Sequence, residues 1–310
     1  MDAGRMEAEM MESYEKRRLD KAYKEAKLLP YNDGSKIVLM SDCHRGQGNS
    51  ADNFLFNQNL FFGALEYYNK NKFTYIELGD GDELWENRSM KPIIEVHSDA
   101  FWMMKQFYED GRFHMLYGNH DIVKSRQKYW EKHCTSYYCE CEKQEVDLFP
   151  GLQVQQSILL EHEQKKQQIL LLHGHQGELL NDRLWMLARF LVRYVWRSLE
   201  LAGVLDPTRA GRSHKVKDRI ERRLDTYARE NDQLIIAGHT HRPFFPEPGN
   251  GHYFNDGSCV HPRCITCIEI EHDQISLVKW SVCTREDRTL YVGRSVLEGP
   301  VDISAYVTVK

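Results

Sequence analysis

The sequence predicts an α/β fold. Short apolar runs end abruptly in polar, glycine-flanked clusters, and segments of helical periodicity lie between them at the spacing of crossover connections. A buried strand of a parallel sheet reads this way, apolar along its length with its polar residues delivered at the carboxyl end. In open α/β sheets that edge is where ligands bind. The first such run, Ile37-Val38-Leu39-Met40, closes on Ser41-Asp42-Cys43-His44. On an extended chain the Asp42 and His44 side chains leave one face together.

The elements follow in order. Residues 1–30 are rich in Glu, Lys, Arg and Met and stop at Pro30; Met6, Met10, Tyr14 and Leu19 to Tyr23 recur near helical spacing. A helical extension over 1–30 is therefore expected ahead of a main domain at 31–310. Arg45 to Asn49 reads as a polar loop, and a helix is expected from about Asp52 to Asn69. The second strand, Thr74–Leu78, ends in Gly79-Asp80-Gly81-Asp82-Glu83. A helix around Ile93 to Tyr108 leads to the third, Phe113–Tyr117, which ends in Gly118-Asn119-His120-Asp121. Strands near Val154–Leu160 and Gln168–Leu172 follow, the latter ending in His173-Gly174-His175. A helical insertion then occupies about 178–230, broken by Gly203 and Pro207. Its first part carries an apolar stripe (Leu184, Trp185, Leu187, Phe190, Leu191, Tyr194, Trp196). Its second is basic (Arg209, Arg212, Lys215, Lys217, Arg219, Arg222, Arg223). Leu234–Ala237 ends in Gly238-His239-Thr240-His241, and the tail reads as antiparallel β over 253–259, 264–271 and 274–282.

Composition narrows the function. The 310 residues carry a net charge of −5, which argues against a chain that binds nucleic acid with its whole surface. No run approaches the roughly 18 apolar residues of a membrane-spanning helix. The first residues are acidic rather than basic then apolar, so no secretory signal is expected. Cys139-x-Cys141 and Cys264-x-x-Cys267 could pair in a zinc site, but the second pair lies in a β-patterned stretch, which favours reduced structural thiols. A cytoplasmic protein is the resulting expectation.

Five strand ends together offer Asp42, His44, Asp80, Asn119, His173, His239 and His241. Imidazole, carboxylate and amide groups mixed in this way suit manganese, iron or zinc, whereas an all-oxygen set would suit magnesium or calcium. Seven ligands are too many for one ion and match two if a carboxylate bridges them. Such a pair can polarise a phosphoryl oxygen and acidify a water.

The set Asp42-x-His44, Gly79-Asp80, Gly118-Asn119-His120-Asp121, His173 and Gly238-His239-Thr240-His241 resembles the calcineurin-like metallophosphoesterase superfamily. The resemblance implies a β-sandwich flanked by helices, of the four-layer α+β type, with a helical cap insertion. It implies two divalent ions, with manganese first and iron or zinc as alternatives. One would be held by Asp42, His44, Asp80 and His241, the other by Asp80, Asn119, His173 and His239. A metal-held hydroxide would attack phosphorus, His120 would protonate the leaving group, and Asp121 would orient or charge His120. Asp82-Glu83-Leu84-Trp85 resembles the acid-then-tryptophan element that often follows the bridging aspartate, with an outer role on a ligand histidine. Arg45, Asn87, Arg88 and His175 are the further candidates for substrate contact, Arg45 reading equally as a solvated loop arginine.

Within the superfamily the layout is most similar to the bacterial UDP-diacylglucosamine pyrophosphohydrolase-like group. His120 stands where that group carries arginine, which fits acid catalysis on a poorer leaving group. The implied activity is hydrolysis of a phosphodiester, pyrophosphate or phosphomonoester of a small anionic substrate. The alternative is a catalytically inactive binding or scaffold member of the fold. The insertion's apolar stripe reads as core packing ahead of a lid, and its Trp/Arg helix admits peripheral membrane contact. A homodimer through the N-terminal helix and the β-rich tail completes the expectations.

Overall fold

The computed structural model describes residues 3–139, 142–196 and 214–306. The chain opens with helix α1 (Ala3–Lys24), then strands β1 (Lys27–Tyr31) and β2 (Lys36–Met40). Next come α2 (Gln58–Lys70), β3 (Thr74–Leu78), α3 (Lys91–Val96), α4 (Ser98–Glu109) and β4 (Phe113–Leu116). A 3₁₀ turn (Ile122–Ser125), α5 (Gln127–His133) and the hairpin of β5 (Ser136–Cys139) and β6 (Gln144–Asp147) lead to β7 (Ser157–His162) and β8 (Gln168–Leu172). The insertion contributes π-helical Leu179–Arg183, α6 (Trp185–Leu191), π-helical Val192–Trp196 and α7 (His214–Glu230). Strands β9 (Leu234–Ala237), β10 (Tyr253–Asn255), β11 (Cys264–Glu271), β12 (Gln274–Thr284) and β13 (Leu290–Asp302) finish the fold.

Two sheets face each other. One has the order β13-β12-β11-β2-β3-β4, with β2, β3 and β4 parallel; the other has the order β1-β7-β8-β9-β10, with β8, β9 and β10 parallel. The period of two along each strand sorts side chains into layers. Ile37 and Leu39 of β2 join Ile76, Leu78, Leu116, Ile158, Leu160, Ile169, Leu171 and Ile236 between the sheets. Val38 and Met40 point the other way, into a core with Phe61, Leu65, Phe101 and Met104 of α2 and α4. On the far side Leu170, Leu172 and Ile235 pack against Leu19 of α1 and Ile220, Leu224 and Tyr227 of α7. The result is helix, sheet, sheet, helix, the four-layer α/β arrangement expected.

Several boundaries differ from the sequence reading. Pro30 does not stop a helix. The helix ends at Lys24, and Lys27–Tyr31 is an edge strand parallel to β7, a place where a residue without an N–H is tolerated. The helix expected from Asp52 begins only at Gln58, because the Asp52 carboxylate accepts the Gly48 and Phe54 amides and holds 52–57 in turns. The helix expected over 93–108 is two helices split at His97, whose Nε2 lies 2.8 Å from Asp52 Oδ2. Tyr253–Asn255 is a parallel strand of the second sheet rather than part of an antiparallel tail. β13 was not foreseen; its side chains are mostly exposed, so no apolar alternation marks it. The insertion's stripe is not simply core. Trp185 packs on the main core, but Leu187 and Phe190 of the stripe are half exposed or more, and beside them Ala188 and Val192 pack on Trp85. Gly203, Pro207, Arg209, Arg212 and Cys141 lie outside the described residues. Cys267 is a buried free thiol under Tyr68.

One polar cluster ties the tail to this body. Tyr68 Oη donates to Glu269 Oε1 (2.6 Å) and accepts from Trp280 Nε1 (2.9 Å), while Arg294 Nε of β13 reaches the same carboxylate oxygen (2.8 Å). Tyr68→Phe strands the buried Trp280 N–H and leaves Glu269 Oε1 to Arg294 alone, so it should cost about 1–3 kcal/mol in a urea-unfolding titration. An unchanged midpoint would show that the cluster contributes no net stability.

Candidate metal centre

The carboxyl ends of the parallel strands of both sheets meet at one edge. The backbone stitches them: Asp42 N–H to Gly79 O (3.1 Å), His44 N–H to Asp80 O (2.9 Å) and Gly238 N–H to His173 O (3.0 Å). Across the sheets, the His239 N–H donates to Asp42 Oδ2 (2.8 Å), and His173 Nδ1 lies 2.9 Å from Leu78 O. The junction admits no bulk. A Cβ on Gly79 would stand 2.6 Å from the Gly118 nitrogen, and one on Gly118 would stand 2.1 Å from Asp80 Oδ1.

Asp42 and His44 do not lie on an extended chain. Their φ angles are 53° and 47°, and Asp80, His239 and His241 are also left-handed at 49°, 68° and 52°. The side chains converge because the chain turns sharply at each strand end. Non-glycine residues held in this region are strained and cluster at functional sites.

Six of the seven expected ligands come together, and Asn119 stands at the end of β4 on the same sheet edge. His241 Nε2 lies 3.1 Å from Asp42 Oδ1 and 3.2 Å from His44 Nε2; His173 Nε2 lies 3.1 Å from Asp80 Oδ2. Ligand-capable atoms group within 4.8 Å of one another as Asp42/His44/His241 and as Asp80/His173/His239. Asp42 Oδ1, Asn119 Oδ1 and His173 Nε2 are buried without a well-formed hydrogen bond, and the first and last face other ligand candidates at 3.1 Å. Buried polar atoms are rarely left so, and these three are atoms that a cation would satisfy. The residues present therefore fit a divalent metal pair. A similar triplet elsewhere, Asp33/His162/Asp273, already holds a cation, since Lys165 pairs with both carboxylates.

Glu83 organises the mouth. Its Oε2 faces His44 Nδ1 (3.0 Å), which leaves His44 Nε2 as the ligand atom, and its two oxygens stand 2.8 and 2.7 Å from His120 Nδ1. His120 also stacks on Trp85 with ring centroids 4.4 Å apart, and Trp85 Nε1 donates to Asn119 O (2.6 Å). His120 and His241 are each 25% exposed, whereas His44 is 7% and His173 and Asp42 are 0%, so the centre opens on the His120–His241 side. Burial opposes ionisation throughout. At Asp80 and Glu83 the surrounding imidazoles prevail and hold both carboxyls below their ordinary value; at His120 the Glu83 and Asp80 carboxylates prevail and raise the imidazole.

Three expected roles change. Arg45 touches neither solvent nor an open site. It is fully buried, with Nε on Asp82 Oδ1 (2.7 Å) and Nη1 and Nη2 on Glu77 (2.8 and 3.0 Å). Asp121 does not orient His120; it accepts the Gly118 N–H (2.7 Å) and pairs with Lys124 (2.8 Å), and Glu83 takes the role instead. Asn87 is buried, donating to Glu83 O (2.8 Å), while exposed Arg88 lies over the Tyr194 ring at 5.3 Å. His175 is buried beside the ligands with an unpartnered Nδ1, its ring centroid 5.4 Å from that of His173. Two residues were missed. Glu178 Oε1 lies 2.7 Å from His239 Nε2, which leaves Nδ1 as the ring nitrogen that Glu178 does not engage, and Ser41 Oγ lies 2.5 Å from Asp42 Oδ2 and 2.7 Å from Asp256 Oδ1. Glu178 opens the insertion, where no sequence pattern singles it out.

A family model for calcineurin-like phosphoesterases matches residues 35–243. The chain belongs to that family. It matches none of the curated proteins compared with it. Among solved structures it is similar to a single mutant of Vps29 from Entamoeba histolytica, with 14% identity, 85% of this chain and 99% of that one covered, and a TM-score of 0.35. It is also similar to Vps29 of Chaetomium thermophilum, with 10% identity, 86% and 97% covered, and a TM-score of 0.38. At such scores these likenesses decide nothing about activity. No helix among the described residues is long and apolar enough to cross a membrane.

The buried Arg45 pairs predict a structural phenotype. Arg45→Ala leaves Glu77 buried without its cation and Asp82 with Lys124 alone, and should destabilise the fold by about 3–5 kcal/mol. A denaturant midpoint equal to wild type would return Arg45 to a loop or substrate role.

Proposed function

We propose that this phosphoesterase-family chain is an active hydrolase dependent on two divalent ions. The observation that supports it is the convergence of two ligand groups, Asp42/His44/His241 and Asp80/His173/His239, in which Asp42 Oδ1 and His173 Nε2 are buried without a well-formed hydrogen bond, as is Asn119 Oδ1. Asp42, His44, Asp80 and His241 would hold one ion, and Asp80, Asn119, His173 and His239 the other. The mixed imidazole, carboxylate and amide set suits manganese, with iron or zinc as alternatives. Bound ions would supply Lewis acidity toward the phosphoryl oxygens and lower the pKa of a water.

The chain's own residues supply the rest. With Nδ1 of His120 held by Glu83, its Nε2 is the atom free to deliver a proton to a departing ester oxygen. Trp85 fixes the plane of that ring and Asn119 is fixed through Trp85, so acid and ligand share one support. Glu178 sets the tautomer of His239 from the insertion, which couples the cap to the centre. The substrate would be a small anionic phosphodiester, pyrophosphate or phosphomonoester. The nearest branch is the UDP-diacylglucosamine pyrophosphohydrolase-like one, on chain layout, with His120 extending the range to poorer leaving groups.

Manganese-loaded protein should hydrolyse bis-p-nitrophenyl phosphate or p-nitrophenyl phosphate, and chelation or Asp80→Ala should abolish turnover. His120→Ala should lower kcat on the order of 10²-fold while leaving the metal content at two. A protein that binds no metal and turns over neither ester would be a binding or scaffold member of the family instead.

A further inference from the structure

Two clefts outside the ligand cluster are strongly charged, and they differ in one respect. The larger, of about 1070 Å³, lies between α1 and α7. Carboxylates line it beside the cations, and Arg219 pairs with Glu15 and Lys16 with Glu230, each at 3.0 Å. The smaller, of about 240 Å³, lies where the insertion meets the loop after β3 and the segment around α5. Arg88, Arg126, Lys128, Arg189 and Arg193 line it, and no carboxylate does. Among the described residues none of the five is paired with an acid. Like charges gathered in this way repel unless an anion joins them.

We propose that this second cleft is an anion site for a phosphoryl-bearing small molecule, distinct from the metal centre. Its geometry is held in place. Arg193 is anchored by three backbone carbonyls, Nε to Trp85 O (3.0 Å) and Nη2 to Leu84 O (2.6 Å) and Asn87 O (2.9 Å). The guanidinium carbons of Arg126 and Arg189 sit 5.4 and 5.3 Å from the centre of the Trp185 ring, which gathers two cations without cancelling either. Burial, then the neighbouring charges of Arg193 and Arg126, draws Arg189 below its ordinary pKa. Guanidinium forks are the groups that grip phosphoryl oxygens two at a time. The volume is below the roughly 300–1,000 Å³ of drug-sized pockets, which fits a phosphate or diphosphate group. Arg193 holds the carbonyl of Trp85, and Trp85 stacks on His120, so the cleft shares its wall with the metal centre. Its occupant is either the second phosphoryl group of a bound substrate or a separate phosphate-bearing ligand.

Calorimetric titration of the full chain with inorganic pyrophosphate tests the site. Chelator-stripped wild type and Asp80→Ala remove the metal centre as a competing binder, so the result stands apart from the dimetal reading. Both should bind pyrophosphate alike, with affinity falling as salt rises. Arg126→Ala/Arg189→Ala should weaken binding at least tenfold, and Arg126→Lys/Arg189→Lys should restore part of it. Arg126 is exposed, so Arg126→Ala alone, expected to weaken binding several-fold, serves if the double variant unfolds. No binding by stripped wild type, or undiminished binding by the alanine variants, would overturn the proposal. Kinetics then separate the two sources. A substrate phosphoryl in the cleft makes the double alanine variant raise KM for a nucleoside diphosphate ester at least fivefold more than for bis-p-nitrophenyl phosphate. A separate ligand makes pyrophosphate alter bis-p-nitrophenyl phosphate turnover in wild type and not in the variant.

Discussion

The centre rests on a floor of buried charge. Arg45 follows β2, Glu77 lies on β3, Asp82 follows β3, and Asp121 and Lys124 follow β4; all five are fully buried or nearly so. Arg45 grips Glu77 and Asp82, and Lys124 pairs with Asp82 and Asp121. Two cations and three carboxylates thus hold three strand-end loops in a single geometry. A buried ion network is a poor source of net stability, because desolvation offsets most of the attraction. Its contribution is position: a loop that shifted would leave a charge unpaired away from water. That constraint lets Asp42, Asp80 and Asn119 keep strained or partnerless arrangements that an isolated loop would relax.

Above that floor, one carboxylate governs two histidines of different purpose. Glu83 fixes the tautomer of His44, a ligand candidate, and grips His120, the acid candidate. Trp85, two residues on, supports His120 by stacking and Asn119 by a hydrogen bond. A change at Glu83 would therefore disturb metal affinity and proton delivery together. Residues that act as a unit give non-additive mutant effects.

Much of this was legible in the sequence because the strand ends announce themselves. Asp42, His44, Asp80, Asn119, His173, His239 and His241 each follow an apolar run at a polar, glycine-flanked break, and the structure gathers six of them into two groups. What hid was whatever depends on tertiary partners. Arg45 reads as a loop arginine because Glu77, its buried partner, sits in mid-strand 32 residues later. The near neighbour Asp121 was preferred to Glu83 as the partner of His120, yet Asp121 is consumed by Lys124 and the Gly118 amide. Glu178 lies on the insertion, and its approach to His239 follows from how the insertion folds back. Pro30 and Asp52 misled for local reasons, one being tolerated at a sheet edge and the other capturing amides that would otherwise start a helix.

The seven candidate ligands are divided between the sheets, with Asp42, His44, Asp80 and Asn119 on one and His173, His239 and His241 on the other. The hydrogen bond from His239 to Asp42 spans 197 positions of sequence. Contacts of such separation form late, after the long loops between them have been closed. During synthesis, a nascent chain has made the first four residues by Asn119, yet the set is not complete until His241. The two candidate ligand groups are thereby completed only when the last third of the polypeptide has emerged, and a prematurely terminated chain is left with one side of the cluster.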